Sequence, residues 1–108
     1  MASRSFEFEV LMVTSQPDGV RAGGRIIEGI IHVGDVFSGA FKRMHVRTPD
    51  GYAPPIRSDD RPVSIRIEQI RAYGRSLEAL DAGMTAELVL SGEGAKSLVE
   101  WDVLEGRA

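Results

Sequence analysis

The chain has 108 residues, 43% hydrophobic and 27% charged, a composition that fits one globular domain (1–108) able to bury about 65% of its unfolded surface. It contains no cysteine, which excludes disulfides, thiolate metal sites and thiol redox chemistry. The net charge of −3 supplies no whole-molecule attraction to nucleic acid or anionic lipid, so any such attraction must be local.

Residues 1–9 lack the basic start and apolar run of a secretory signal, and the longest apolar stretch, residues 10–13, is far short of the ~20 residues that cross a bilayer. A cytoplasmic chain with no membrane partner is expected. Phe6, Phe8, Val10 and Met12 alternate with Glu7 and Glu9, the period of a half-buried strand. Pro17-Asp18-Gly19 then reverses the chain. Residues 23–37 are β-branched and apolar between glycines at 24, 29 and 34, and read as strand, tight turn, short strand, turn and strand; each glycine would cost about 1 kcal/mol inside a helix. Gly24, Gly29, Gly34 and Gly83 are the expected structural turns.

Residues 41–47 predict another strand, with Met44 and Val46 opposed to Lys42, Arg43, His45 and Arg47. The segment 48–62 carries Pro49-Asp50-Gly51 and Pro54-Pro55 and predicts a long surface loop. Val63, Ile65 and Ile67 alternate with Ser64, Arg66 and Glu68 in a further strand running to Ile70. Residues 76–80 predict a helical turn capped by Ser76 and stopped at Gly83, 85–90 a strand, and 95–100 a second helical turn before Val103 and Leu104. Short strands punctuated by glycine and proline predict an all-β fold, a small closed six- to seven-stranded antiparallel β-barrel with one or two single helical turns. Closure removes the edges that a small open sheet would have to protect.

The spacing in Gly24-Arg25-Ile26-Ile27-Glu28-Gly29-Ile30-Ile31-His32-Val33-Gly34-Asp35 resembles the G-R-V-x-x-G-x-I-x-x-G-D/E stretch in the second, β-barrel domain of translational GTPases such as elongation factor Tu. Asp81-Ala82-Gly83-Met84-Thr85-Ala86-Glu87-Leu88-Val89-Leu90-Ser91-Gly92 is similar to that family's A-G-x-x-V-G-L-x-L-x-G strand, and Trp101-Asp102-Val103-Leu104 sits where its closing R-G-D-V-L occurs. The resemblance spans residues 6–104, with 48–62 as an addition, and implies a binding module related to translation. It does not carry every family feature. The chain has no G-x-x-x-x-G-K-[ST] phosphate loop, the acidic-aromatic stretch that helps the family's barrel hold the aminoacyl end of tRNA is replaced by Val10-Leu11-Met12-Val13, and family glycines are replaced by Glu87 and Trp101.

Residues 42–75 hold eight basic side chains (Lys42, Arg43, Arg47, Arg57, Arg61, Arg66, Arg71, Arg75) against four acidic ones, a balance of +4, so the remainder of the −3 chain is −7. Two readings follow: arginines that pair with RNA phosphates, or a solvated barrel face. Tyr52 and Tyr73 offer stacking surfaces for unpaired bases or fill half-buried turns. His32 and His45 lack a second ligand at metal spacing, and Asp59-Asp60 lacks a calcium-loop pattern; both pairs read as surface residues. Trp101 is expected to plug the barrel end, with a partner anchor as the alternative, and Phe37 and Phe41 serve either the core or a dimer seam. No nucleophile elbow is present, and no catalytic residue, metal or cofactor is expected. The partner is RNA or a ribonucleoprotein in one reading and another protein in the other.

Overall fold

The computed structural model describes residues 4–44 and 47–108, with Tyr52 described by its backbone alone. Among the described residues eleven strands follow one another: β1 (Ser5–Gln16), β2 (Gly19–Glu28), β3 (Ile30–His32), β4 (Val36–Met44), β5 (Arg47–Thr48), β6 (Gly51–Tyr52), β7 (Ile56–Ala72), β8 (Arg75–Leu77), β9 (Ala79–Asp81), β10 (Thr85–Glu93) and β11 (Asp102–Arg107). A single 3-10 turn covers Ala95–Ser97, within the second of the expected helical turns.

The main sheet runs β10-β2-β1-β11-β4-β7-β8, and β10 also pairs with β7. Six strands therefore close into a ring in which every neighbour is antiparallel, and β8 is appended to β7. This barrel-like all-β architecture is the one that the short alternating runs predict. Two small pairs, β3–β9 and β5–β6, complete it.

Alternation sends Phe6, Phe8 and Val10 of β1, Val20, Ala22 and Ile26 of β2, Phe37 and Ala40 of β4, Ile65, Ile67 and Ile70 of β7, and Leu88 and Leu90 of β10 into one core. The rings of Phe6 and Phe37 meet edge-on at 5.6 Å, a favoured aromatic geometry. Phe41 and Val103 are equally buried, but face each other across β4 and β11 outside that core cluster. Both phenylalanines are covered within one chain, which leaves neither for a dimer seam.

Four expectations are corrected. The expected loop 48–62 is largely strand, because β7 begins at Ile56 and pairs with β4 through Met44↔Ile56, Arg43↔Arg57 and Lys42↔Ser58. A bulge, in which Asp59 takes φ 55°, absorbs the residues that made the stretch look irregular. The helical turn at 76–80 is instead the bend between β8 and β9: Leu77 stands opposite Ile70, Leu80 opposite Ile31, and the Glu78 carbonyl accepts from Val33 N–H. Gly24 lies inside β2 rather than in a turn, and a Cβ there would strike the Glu9 carbonyl and the Phe8 ring, so the position needs close approach. Finally, Trp101 is 61% exposed; the side chain at the barrel end is Asp102, two residues before inward-facing Leu104 and fully buried.

Candidate nucleic-acid interface

The eight basic residues fall into two groups. β4 beyond Lys42 pairs only with β7, and β7 before Ser64 pairs only with β4, so the two extend past the ring as a ribbon. At its root, Arg57 Nη2 lies 2.8 Å from Glu105 Oε1 and also pairs with Asp60. Its guanidinium sits 3.7 Å from the centre of the Phe41 ring. The hydrogen bonds it donates to Glu105, then to Asp60, raise its pKa above the ordinary arginine value. Arg43 also approaches the Phe41 ring and reaches Glu7 at 3.3 Å. On the inner side, Arg61 Nη2 donates to Asp102 Oδ2 at 2.7 Å, and Lys42 Nζ lies 3.3 Å from Asp102 Oδ1. These four cations serve carboxylates of the same chain.

Arg66 is exposed and 3.6 Å from Glu68. Arg47, Arg71 and Arg75 are exposed and make no ion pair among the described residues. Arg71 and Arg75 bracket the two-residue turn Tyr73-Gly74, in which both residues take positive φ (56° and 73°), the backbone of a tight hairpin turn. That conformation is unfavourable for a tyrosine. It holds the Tyr73 ring out in solvent, 67% exposed, with its hydroxyl 3.6 Å from the Met84 sulfur.

Tyr73 forms one wall of a groove of about 450 Å³, whose other walls include Leu11, Met12, Gly23, Thr85 and Glu87. Met12, Gly23, Glu87 and Arg71 follow one another across four neighbouring strands. The register shift between Val10 and Met12 makes Leu11 the extra residue of a bulge and turns both side chains outward. The sequence reading did not select this groove; its trace was the break in alternation at Leu11-Met12-Val13.

Other flagged residues lie apart. His32 Nδ1 is 3.7 Å from Asp35 Oδ2, and Asp35 is held by two hydrogen bonds from Arg4 and one from His32 N–H. Burial pushes the Asp35 carboxyl up, but these hydrogen bonds and nearby charges together hold it below its ordinary value. His45 and the Tyr52 side chain lie outside the described residues. Among the described residues, no group of three metal-binding side chains forms, and no helix is long and apolar enough to cross a membrane.

No family model matches the chain, and no curated protein matches it. Its fold matches translation elongation factor SelB from Methanococcus maripaludis in the apo form, with TM-score 0.67, 18% identity and 94% of this chain covered. The complex of the same protein with the GTP analogue GppNHp gives the same values. The chain spans 19% of SelB. It thus has the fold of a barrel domain resembling one domain of a translational GTPase.

Proposed function

We propose that the chain is a non-catalytic, cytoplasmic binding module that contacts RNA or a ribonucleoprotein through the basic face of residues 42–75. The observation that carries this reading is the β7–β8 hairpin, whose tip holds the Tyr73 ring open and whose Arg71 and Arg75, on its opposite faces, are exposed with no ion pair among the described residues. Cations that have no internal partner are the ones available to phosphate. Arg66 and Arg47 extend the same exposed set. Arg43, Arg57 and Arg61, along with Lys42, are assigned to holding the ribbon on the barrel. The likeness in fold to a translation factor domain supports the same direction.

The test is a salt titration of RNA binding to the wild type and to Arg71→Glu and Arg75→Glu. Each substitution is expected to weaken binding and to reduce the salt slope by about one. Absence of wild-type affinity above background at low salt would remove the proposal. A second reading, docking of a protein partner, draws on the groove, because Leu11 and Met12 are large apolar side chains left 40% and 65% exposed. It predicts capture of a partner from nuclease-treated lysate that survives both arginine substitutions.

A further inference from the structure

The two sides of β1 are unequally occupied. On one side β2 pairs with residues 7–16, whereas on the other β11 pairs only with residues 5–9. Trp101 N–H donates to the Val10 carbonyl at 2.7 Å, and the bulge at Leu11 ends the pairing on that side. Residues 12–16 therefore have a free edge. Apart from their ladder to β2, they make no backbone hydrogen bond among the described residues.

This edge lacks the protection that free strands ordinarily carry. Residues 12–16 read Met-Val-Thr-Ser-Gln, with no charge and no proline. The free edge of β7 before Ser64, by contrast, carries Pro62, Asp60 and the bulge at Asp59, devices that turn away an added strand. Unpaired N–H and C=O groups spaced along an extended backbone are matched by another extended backbone. Beside the edge runs a groove of about 530 Å³ whose walls include Val13, Ser15, Lys96, Leu98, Val99 and Glu100.

The groove is charged in opposite senses at its two ends. Lys96 Nζ donates to the Pro17 carbonyl at 3.3 Å, just past the end of β1. Glu100 precedes Trp101 and so lies at the Val10 end. Both side chains are exposed, and neither has an ion-pair partner among the described residues. A two-fold axis that pairs this edge with itself, antiparallel and centred between Val13 and Thr14, sets each Lys96 against the partner's Glu100. Parallel addition would set like charges together. The edge is thus complementary to itself, as a closed two-fold contact requires.

We infer that this edge is covered by a second copy of the chain, in a two-fold dimer whose β1 strands pair antiparallel about Val13 and Thr14. Val99, 52% exposed in the single chain, is covered by the same contact. β2 and β10 stand between this edge and Arg71, so the inference does not rest on the RNA-binding reading.

Analytical ultracentrifugation of the full chain is expected to show a mass that rises with concentration from 11.8 kDa toward twice that value. Lys96→Glu and Glu100→Lys each oppose like charges across the axis, and each is expected to raise the dimer dissociation constant about tenfold or more. The double variant restores opposite charges and is expected to return to within about threefold of the wild type, a recovery that misfolding would not allow. Amide hydrogen exchange along residues 12–16 is expected to slow in the dimer relative to dilute protein. A chain still monomeric at about 1 mM overturns the inference. So does a dimer that neither single substitution weakens, a double variant that does not recover, or a dimer with unchanged exchange along residues 12–16.

Discussion

Arg57, on β7, reaches across the ring of Phe41, on β4, to the carboxylate of Glu105 on β11. The guanidinium acts as a lid over an apolar side chain on the outside of the barrel, and the carboxylate holds the lid down. Phe41 is fully buried although it is outside the main core cluster. Phe41→Ala is expected to destabilise the fold by about 3 kcal/mol or more, as measured by urea denaturation. Arg57→Met, which keeps an apolar cover, is expected to cost less than Arg57→Ala. Equal midpoints for wild type and Phe41→Ala would show that the outer cluster contributes nothing.

Asp102 is a buried carboxylate facing two cations, Lys42 and Arg61. Removing the shared anion leaves Lys42 and Arg61 beside each other with no counter-charge and frees the Val99 N–H. Asp102→Ala is therefore expected to cost about 1–3 kcal/mol, mostly from the Val99 N–H left without its acceptor, because Lys42 and Arg61 keep about a third of their surface in water. Asp102→Asn should lie between this variant and the wild type, since it keeps an acceptor for Val99. A denaturation series reads both, and a loss under about 1 kcal/mol for the alanine variant would contradict the assignment.

Much of this barrel was legible because strand alternation and glycine placement are local. Phe6, Phe8 and Val10 point inward because their neighbours are charged, and Gly29 and Gly34 adopt the positive φ that the turns around β3 need. The failures have one physical origin, which is tertiary pairing overriding local propensity. Leu77 and Leu80 have the spacing of a helical face, yet each is claimed by a different strand, opposite Ile70 and Ile31. Asp59 and Pro62 look like loop residues, yet β4 supplies a ladder that tolerates both through a bulge. The site was harder still. Eight basic residues could be counted from the sequence, but the carboxylates that occupy Arg43, Arg57 and Arg61 come from Glu7, Glu105 and Asp102, which are distant in sequence and adjacent only once the ring has closed.

Gly24 and Gly34 separate two reasons for glycine. A Cβ on Gly34, at φ 95°, meets nothing, whereas one on Gly24 strikes backbone. Gly34→Ala is expected to cost roughly 1–2 kcal/mol from its left-handed conformation alone. Gly24→Ala should cost more, since β1 and β2 must part. Thermal denaturation of the two variants checks the order, and the reverse ranking would contradict the packing at the Leu11 bulge.

Tyr73 occupies a position better suited to asparagine, which accepts positive φ at the first place of a two-residue hairpin turn followed by glycine. Tyr73→Asn is expected to raise stability by up to about 1 kcal/mol, while weakening RNA binding if the ring stacks. Such opposite signs would show that the strained tyrosine is kept for contact. A stabilised variant with unchanged RNA affinity would remove Tyr73 from the interface.

Asp35 carries the pH dependence. Burial opposes its ionisation, but the Arg4 hydrogen bonds, His32 N–H and the charges of Arg4 and His32 outweigh it, so the folded carboxyl ionises below its ordinary value of 3.8. The folded state therefore binds the Asp35 proton less readily than the unfolded chain does. Its contribution is complete above 3.8, declines as the pH falls past that value, and is lost once the pH drops through the folded pKa. The stability difference between wild type and Asp35→Asn should accordingly be largest at neutral pH and narrow on acidification. Arg4→Met should show the same trend, because Arg4 is the partner that depresses the carboxyl. Melting curves across the acid range measure both, and a difference that widens as pH falls would reverse the sign assigned to Asp35.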